Sequence, residues 1–138
     1  MNGDASMTRI LVTGGGGFIG SHLSRELFRK GDFVRVADVK FDDYIKEEIC
    51  NEKTRLDLRV LENCLAATKG IDTVYNFAAN MGGIGFISTV GAEVMHDNVL
   101  INANMLEASR LNKAKRYLSV ARPAFIPPSV RRIRMSKV

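Results

Sequence analysis

The chain has 138 residues, 46% hydrophobic and 25% charged, which is enough for one buried core and leaves room for a single domain. Its net charge of +5 is confined to the end, where Arg122, Arg131, Arg132, Arg134 and Lys137 carry the whole excess over a neutral body. Only Phe125 interleaves with those bases, so nucleic-acid binding is not expected. No apolar stretch is long enough to cross a bilayer, and residues 1–7 are short and polar, so no membrane association is expected and the default compartment is cytoplasmic.

Ile10, Leu11 and Val12 form the short apolar run of a strand buried on both faces. Four glycines follow, and from Ile19 the period changes. Leu23 and Leu27 then recur at helical spacing, while Arg25, Arg29 and Lys30 fall outward. Glycine suits this junction because a strand must turn sharply into a helix, a pyrophosphate must approach bare backbone, and the helix must pack close to the strand. The run fits G-x-G-x-x-G through Gly15, Gly17 and Gly20, and equally G-x-x-G-x-x-G through Gly14, Gly17 and Gly20. The helix N-terminus behind it is suited to an anion.

Residues 33–37 read as a second strand ending on Asp38, about twenty residues past the last glycine, where a carboxylate accepts hydrogen bonds from adenosine ribose hydroxyls. The same charge repels a 2′-phosphate, so NAD is expected rather than NADP. Asp42, Asp43, Glu47 and Glu48, mixed with Lys46, read as a solvated loop and not as metal ligands. A third strand is expected at Leu56, Asp57 and Leu58. Val60, Leu61, Cys64 and Leu65 then recur at helical spacing before Gly70 supplies a stop. Residues 72–79 (DTVYNFAA) read as a fourth strand, followed by a glycine-rich loop (MGGIGF), a long helix over about 92–111 and a fifth strand beginning near Lys115.

This alternation predicts an α/β fold, a Rossmann-type doubly wound parallel sheet of order 3-2-1-4-5 that stops after its fifth strand. The domain would span residues 8–120, with residues 1–7 a disordered tail and residues 121–138 a basic tail. A ligand then belongs at the carboxyl ends of the strands, beside Gly14, Asp38, Asp57 and Ala78. Cys50 and Cys64 fit no metal or redox spacing and read as reduced, half-buried thiols. His22, in the first turn of the glycine-loop helix, reads either as a neighbour of phosphate or as a packing or capping residue. His96 reads as a solvated surface side chain.

These residues resemble the extended short-chain dehydrogenase/reductases, the NAD-dependent epimerases and dehydratases. Thr13 to Gly20 matches their T-G-x-x-G-x-x-G, Asp57 with Leu58 looks like their adenine-contacting pair, and Asn76 to Ala79 resembles their N-x-A-A strand end. Asn98 falls where the family keeps an asparagine, to position active-site groups or to bind backbone. Three stretches, DLRVLENC (57–64), NMGGIGFI (80–87) and NMLEASR (104–110), resemble one branch of that family, the GDP-mannose 3,5-epimerases. The resemblance covers roughly residues 8–118. It implies NAD as cofactor, held by Gly14, Gly17, Phe18, Ile19, Gly20, Asp38, Asp57, Leu58, Ala78 and Ala79, and a nucleotide sugar, a GDP-hexose, lying against Gly82 and Gly83. It also implies a chemistry in which hydride leaves C4 of the hexose, proton exchange inverts neighbouring carbons, and the hydride returns.

Such chemistry needs a Tyr-x-x-x-Lys pair and, by the resemblance, an acid/base cysteine and lysine. The chain departs from the family here. Tyr44, Tyr75 and Tyr117 are followed at the fourth position by Glu48, Ala79 and Ala121, and where relatives read approximately S-S-A-C-I-Y-P this chain reads ARPAFIP over 121–127. Codon degeneracy connects the two. With the frame shifted by one base, residues 121–127 have synonymous spellings that yield all seven family residues in order, and Ser119 and Val120 allow Phe and Ser. The expectation is a base lost near Leu118, with everything from about Ser119 out of frame and no catalytic residue left. Two other readings stay open at this point: a non-catalytic dinucleotide-binding regulator, and a piece of a different hexose 4-epimerase or 4,6-dehydratase. Val99, Leu100, Ile101, Met105 and Leu106 spread over more than one helix face, so self-association through uncovered apolar surface is also expected.

Overall fold

A computed structural model describes residues 6–41, 47–80 and 91–119. The chain runs β1 (Arg9–Thr13), α1 (Phe18–Arg29), β2 (Phe33–Asp38), β3 (Glu52–Arg55), α2 (Leu61–Thr68), β4 (Thr73–Asn76), α3 (Gly91–Leu111) and β5 (Arg116–Ser119). All pairings are parallel, in the order β3-β2-β1-β4-β5, as the alternation of elements predicts. β1 lies at the centre, with Ile10 opposite Val34 and Thr73, and Val12 opposite Val36 and Tyr75.

Both faces of β1 are covered, which is why its sequence is a continuous apolar run and not an alternating one. Leu11, Ala37 and Val74 pack beneath Cys64 and Ala67 of α2 and Ile101, Met105 and Ala108 of α3. On the opposite face Ile10, Val12, Val34 and Val36 pack with Ile49 and with Leu23 and Leu27 of α1. Residues of β1 therefore feed the two layers alternately, and the strand anchors α1 on one face and α2 and α3 on the other.

Two strand expectations are corrected. The third strand is Glu52–Arg55, not Leu56 to Leu58. As an edge strand paired only with β2, it is largely exposed and carries no apolar stripe to read. Leu56 donates its amide to the Asp38 carbonyl at 2.9 Å and then leaves the ladder, and Leu58 turns inward to become buried; its apolar signal reports core packing, not strand pairing. The fourth strand ends at Asn76, before the predicted limit of residue 79. The Ala78 amide instead bonds the hydroxyl of Thr13 at 3.1 Å, so a side chain takes over where the ladder stops.

The C-terminus of α2 is closed from outside the helix. Arg35 of β2 donates Nη1 to the carbonyls of Ala67 and Lys69, each at 2.8 Å, and Asn112 donates to the Leu65 carbonyl at 2.9 Å. Arg35→Ala, which removes the donor to the Ala67 and Lys69 carbonyls, is expected to lower stability by about 1–3 kcal/mol in urea unfolding. Both cysteines are buried. Burial, aided by the charge of Asp57, pushes the Cys64 thiol up to about 12, and burial raises the Cys50 thiol too. Neither should react with a thiol reagent at pH 8 until the protein unfolds, so labelling measured against urea should track global unfolding.

α3 buries Val94, Ile101, Met105 and Ala108 yet leaves Met95, Val99 and Leu106 at least half exposed. Those three fall within one narrow stripe, separate from the buried face. Among the described residues no helix is long and apolar enough to cross a membrane.

Candidate functional site

The carboxyl ends of β1, β2 and β4 open on a cleft of about 550 Å³. Gly14 and Gly17 line it at the end of β1, Asp38 and Val39 at the end of β2, residues 56–59 beyond β3, residues 77–80 beyond β4, and Asp97 and Ile101 on α3. This is where open parallel sheets place ligands, at the point where the chain's progression across the sheet reverses. Of the residues singled out from the sequence, the fold brings Gly14, Gly17, Asp38, Asp57, Leu58, Ala78 and Ala79 onto this one cleft. Phe18, Ile19 and Gly20 form the first turn of α1 at its margin, with Phe18 and Ile19 exposed. Gly82 and Gly83 lie outside the described residues, as do Tyr44 and residues 121–138.

The glycine loop is shaped by steric contacts that no side chain could satisfy. Gly14 has φ +68°, and a Cβ there would meet the Phe77 carbonyl carbon at 2.7 Å. A Cβ on Gly20 would collide with the Gly14 carbonyl oxygen, so α1 packs directly on the loop that precedes it. The helix begins without a capping side chain and without an acidic residue in its first turn. Its first intrahelical bond runs from the Ser21 amide to the Gly17 carbonyl at 3.0 Å, so the amides of Phe18, Ile19 and Gly20 have no intrahelical acceptor. An open, positively polarised helix end of this kind favours an anion.

Asp38 braces the same loop. Its Oδ2 accepts the Gly16 amide at 2.9 Å, and its Oδ1 accepts the Val39 amide at 2.7 Å. The Lys40 amide adds a longer bond to Oδ1 at 3.4 Å, so the carboxylate holds the strand end and the glycine loop in one orientation, with a lone pair remaining on Oδ2 for a further donor. His22 packs against Phe18 with the rings tilted by 50° and bonds the Phe18 carbonyl through Nδ1 at 2.7 Å, which places it in local packing within the helix. His96 is exposed. Among the described residues no group of three potential metal ligands occurs.

Two polar networks flank the cleft. At its floor Thr13 donates to Asn76 Oδ1 at 2.6 Å, and Asn76 Nδ2 donates to Asn102 Oδ1 and to the Tyr117 hydroxyl, each at 3.0 Å. Asn76 is fully buried and thereby satisfied, tying β1, β4, β5 and α3 together. Burial pushes the Tyr117 phenol up to about 12, so it stays neutral. At the rim Asn98 clasps the backbone of Asn80 at both ends: Oδ1 accepts the Asn80 amide at 2.7 Å, and Nδ2 donates to the Asn80 carbonyl at 3.1 Å. Asn98 thus binds backbone, the second of its two sequence readings. Asn80 Nδ2 also donates to Asp97 at 2.9 Å, which holds that carboxyl below the usual range. The roles of Asn102, Asp97 and Arg59 were not read from the sequence. Asn98 and Asn102, one turn apart in an apolar helix, were the available signal for the first of them.

The chain belongs to the NAD dependent epimerase/dehydratase family, whose profile matches residues 10–128. Within it, the chain is 43% identical over 120 residues to GDP-mannose 3,5-epimerase 1 of Oryza sativa subsp. japonica, covering 86% of this chain and 32% of that protein. It is 42% identical over 131 residues to GDP-mannose 3,5-epimerase of Arabidopsis thaliana, covering 94% of this chain and 34% of that protein. The chain thus spans about a third of the length of these curated relatives. Among solved structures, UDP-glucose-4-epimerase of Stenotrophomonas maltophila, with bound NAD and formylated UDP-arabinopyranose, superposes with a TM-score of 0.73 at 25% identity, covering 81% of this chain and 36% of that one. MoeE5 in complex with UDP-glucose and NAD gives a TM-score of 0.69 at 32% identity, covering 80% of this chain and 35% of that one. The family's cofactor is NAD.

Proposed function

We propose that this chain provides the NAD-binding part of a nucleotide-sugar epimerase of the GDP-mannose 3,5-epimerase kind and is catalytically inactive by itself. The observation that carries this reading is the glycine loop braced by Asp38: backbone amides and a carboxylate at adjacent strand ends fit a diphosphate and its neighbouring ribose. Gly14, Gly17 and Gly20 let the diphosphate reach backbone, and the amides of Phe18 and Ile19 face it. Asp38 takes the ribose hydroxyls, Asp57 and Leu58 meet the base, and Ala78 and Ala79 wall the far side. Bound there, NAD supplies a reversible hydride acceptor for a sugar carbon. Gly82 and Gly83 are proposed to meet the GDP-hexose.

Hydrogen exchange tests the loop's role: NAD should slow exchange of the amides over residues 14–21 more than those of β5. Uniform exchange, with and without NAD, would contradict the assignment.

The inactivity follows from the missing Tyr-x-x-x-Lys pair and acid/base cysteine. Under this reading a base lost near Leu118 put the residues from about Ser119 out of frame, and the basic charge of residues 121–138 has no function. Sequencing the gene tests it: the shifted frame should continue into a Tyr-x-x-x-Lys segment, and its absence ends the idea. Turnover of GDP-mannose by the purified chain would overturn the inactive reading. The proposal includes self-association through the Met95, Val99 and Leu106 stripe, so sedimentation should show species larger than a monomer, with Val99→Glu shifting them toward monomer.

A further inference from the structure

The rim network contains a cation that the proposed chemistry has not used. Arg59 lies in the turn after β3. Its Nε reaches both oxygens of Asp57 at 3.1 and 3.2 Å, and its Nη2 donates to Asp57 Oδ2 at 2.8 Å. The Arg59 backbone amide adds a bond to Asp57 Oδ1 at 3.0 Å. On its other side Nη1 reaches both oxygens of Asp97 at 3.4 Å, and Asp97 is buried on α3 and bonded to Asn80. One guanidinium therefore joins two carboxylates on different walls of the same cleft.

This geometry fixes the orientation of the Asp57 carboxylate. An aspartate in a turn ordinarily rotates about χ1 and χ2, and a two-point fork removes that freedom. Asp97 in turn holds the fork, because it is itself buried and already bonded to Asn80. The side chain of Asp57 remains 37% exposed, so it can still accept from a ligand. The Arg59 contacts also hold the Asp57 carboxyl below the usual range, which keeps it an acceptor and never a donor in neutral solution.

We propose that Arg59 is a positioning residue for base recognition: clamped by Asp97, it holds Asp57 as an ionised acceptor aimed at an exocyclic amine of the bound nucleotide. The inference rests on the NAD reading of the cleft, with Asp57 as its base contact, and adds to it Arg59 and Asp97 as the groups that hold that contact in place. An ionised carboxylate gains a hydrogen bond from an amine and is repelled by a carbonyl oxygen in the same place.

The test compares NAD with nicotinamide hypoxanthine dinucleotide, which carries an oxo group in place of the amine, by calorimetry on the full chain and on Arg59→Met, Arg59→Lys and Asp97→Asn. The unmodified chain should prefer NAD by about tenfold, the size of one hydrogen bond to a charged acceptor. Arg59→Met should bring the two affinities to within about twofold, by weakening NAD and relieving the repulsion of the oxo analogue, while Arg59→Lys retains part of the preference and Asp97→Asn reduces it. Circular dichroism identifies any variant that has not folded, and the three substitutions provide independent comparisons. An unchanged preference in folded Arg59→Met overturns the inference while leaving NAD binding intact. Failure of the unmodified, folded chain to bind either dinucleotide overturns the NAD reading, and this inference with it.

Discussion

Gly20→Ala should abolish NAD binding and destabilise the protein by about 1–3 kcal/mol or more, the cost of forcing a methyl into a filled space. The added carbon would run into the Gly14 carbonyl oxygen, and it would stand 2.8 Å from both the Gly14 carbonyl carbon and the Gly15 Cα. All three obstacles are backbone, so no side-chain rotation relieves them. The remaining response is for α1 to retreat from β1, which pulls the Phe18 and Ile19 amides away from the loop and loosens the packing of Leu23 and Leu27 on Val34 and Val36. Thermal unfolding and NAD titration of the same sample should therefore fail together. Gly17→Ala is the informative control: its added carbon would meet only the Gly14 carbonyl oxygen, at 3.3 Å, and should cost the fold far less. Equal losses of stability in the two variants would refute the packing argument.

Asp38→Ala should weaken NAD by about 10- to 100-fold, because two functions are lost at once. The Gly16 amide loses its 2.9 Å acceptor, so the loop is no longer held to the end of β2, and the ribose loses its carboxylate. Removing the negative charge also removes the repulsion that disfavours a 2′-phosphate, so the preference for NAD over NADP should collapse. Asp38→Asn separates the two functions. An amide oxygen can still accept from Gly16, but the amide nitrogen then faces the Val39 N–H in place of the Oδ1 acceptor, so stability should fall by less than in Asp38→Ala while cofactor preference relaxes. Retention of full NAD preference in Asp38→Ala would remove Asp38 from the site.

The legible parts of this fold were those where packing writes a pattern. β1 is apolar throughout because helices cover both its faces, and α1 shows its period because one face meets β1 and β2. The glycine loop was readable because steric exclusion leaves one residue type at Gly14 and Gly20. β3 was misplaced for the complementary reason. An edge strand reading EKTR gains its structure from backbone pairing with β2, which leaves no mark on side-chain polarity, while the neighbouring Leu56 and Leu58 attracted the assignment because they are packed inward. The site divided in the same way. Asp38 and Asp57 were found by spacing and resemblance, whereas the partners that hold them and their surroundings, Arg59, Asp97 and Asn102, are brought there by α3 and by a turn, across sequence separations of up to 38 residues. Contacts of that range depend on the completed sheet.

Isothermal titration of the folded chain with NAD and with NADP tests the central claim most directly. Saturable heat with NAD, one site per chain and clearly weaker binding of NADP, is the predicted result. A chain whose circular dichroism shows the α/β fold, yet which gives no heat with NAD or binds NADP equally well, would contradict it.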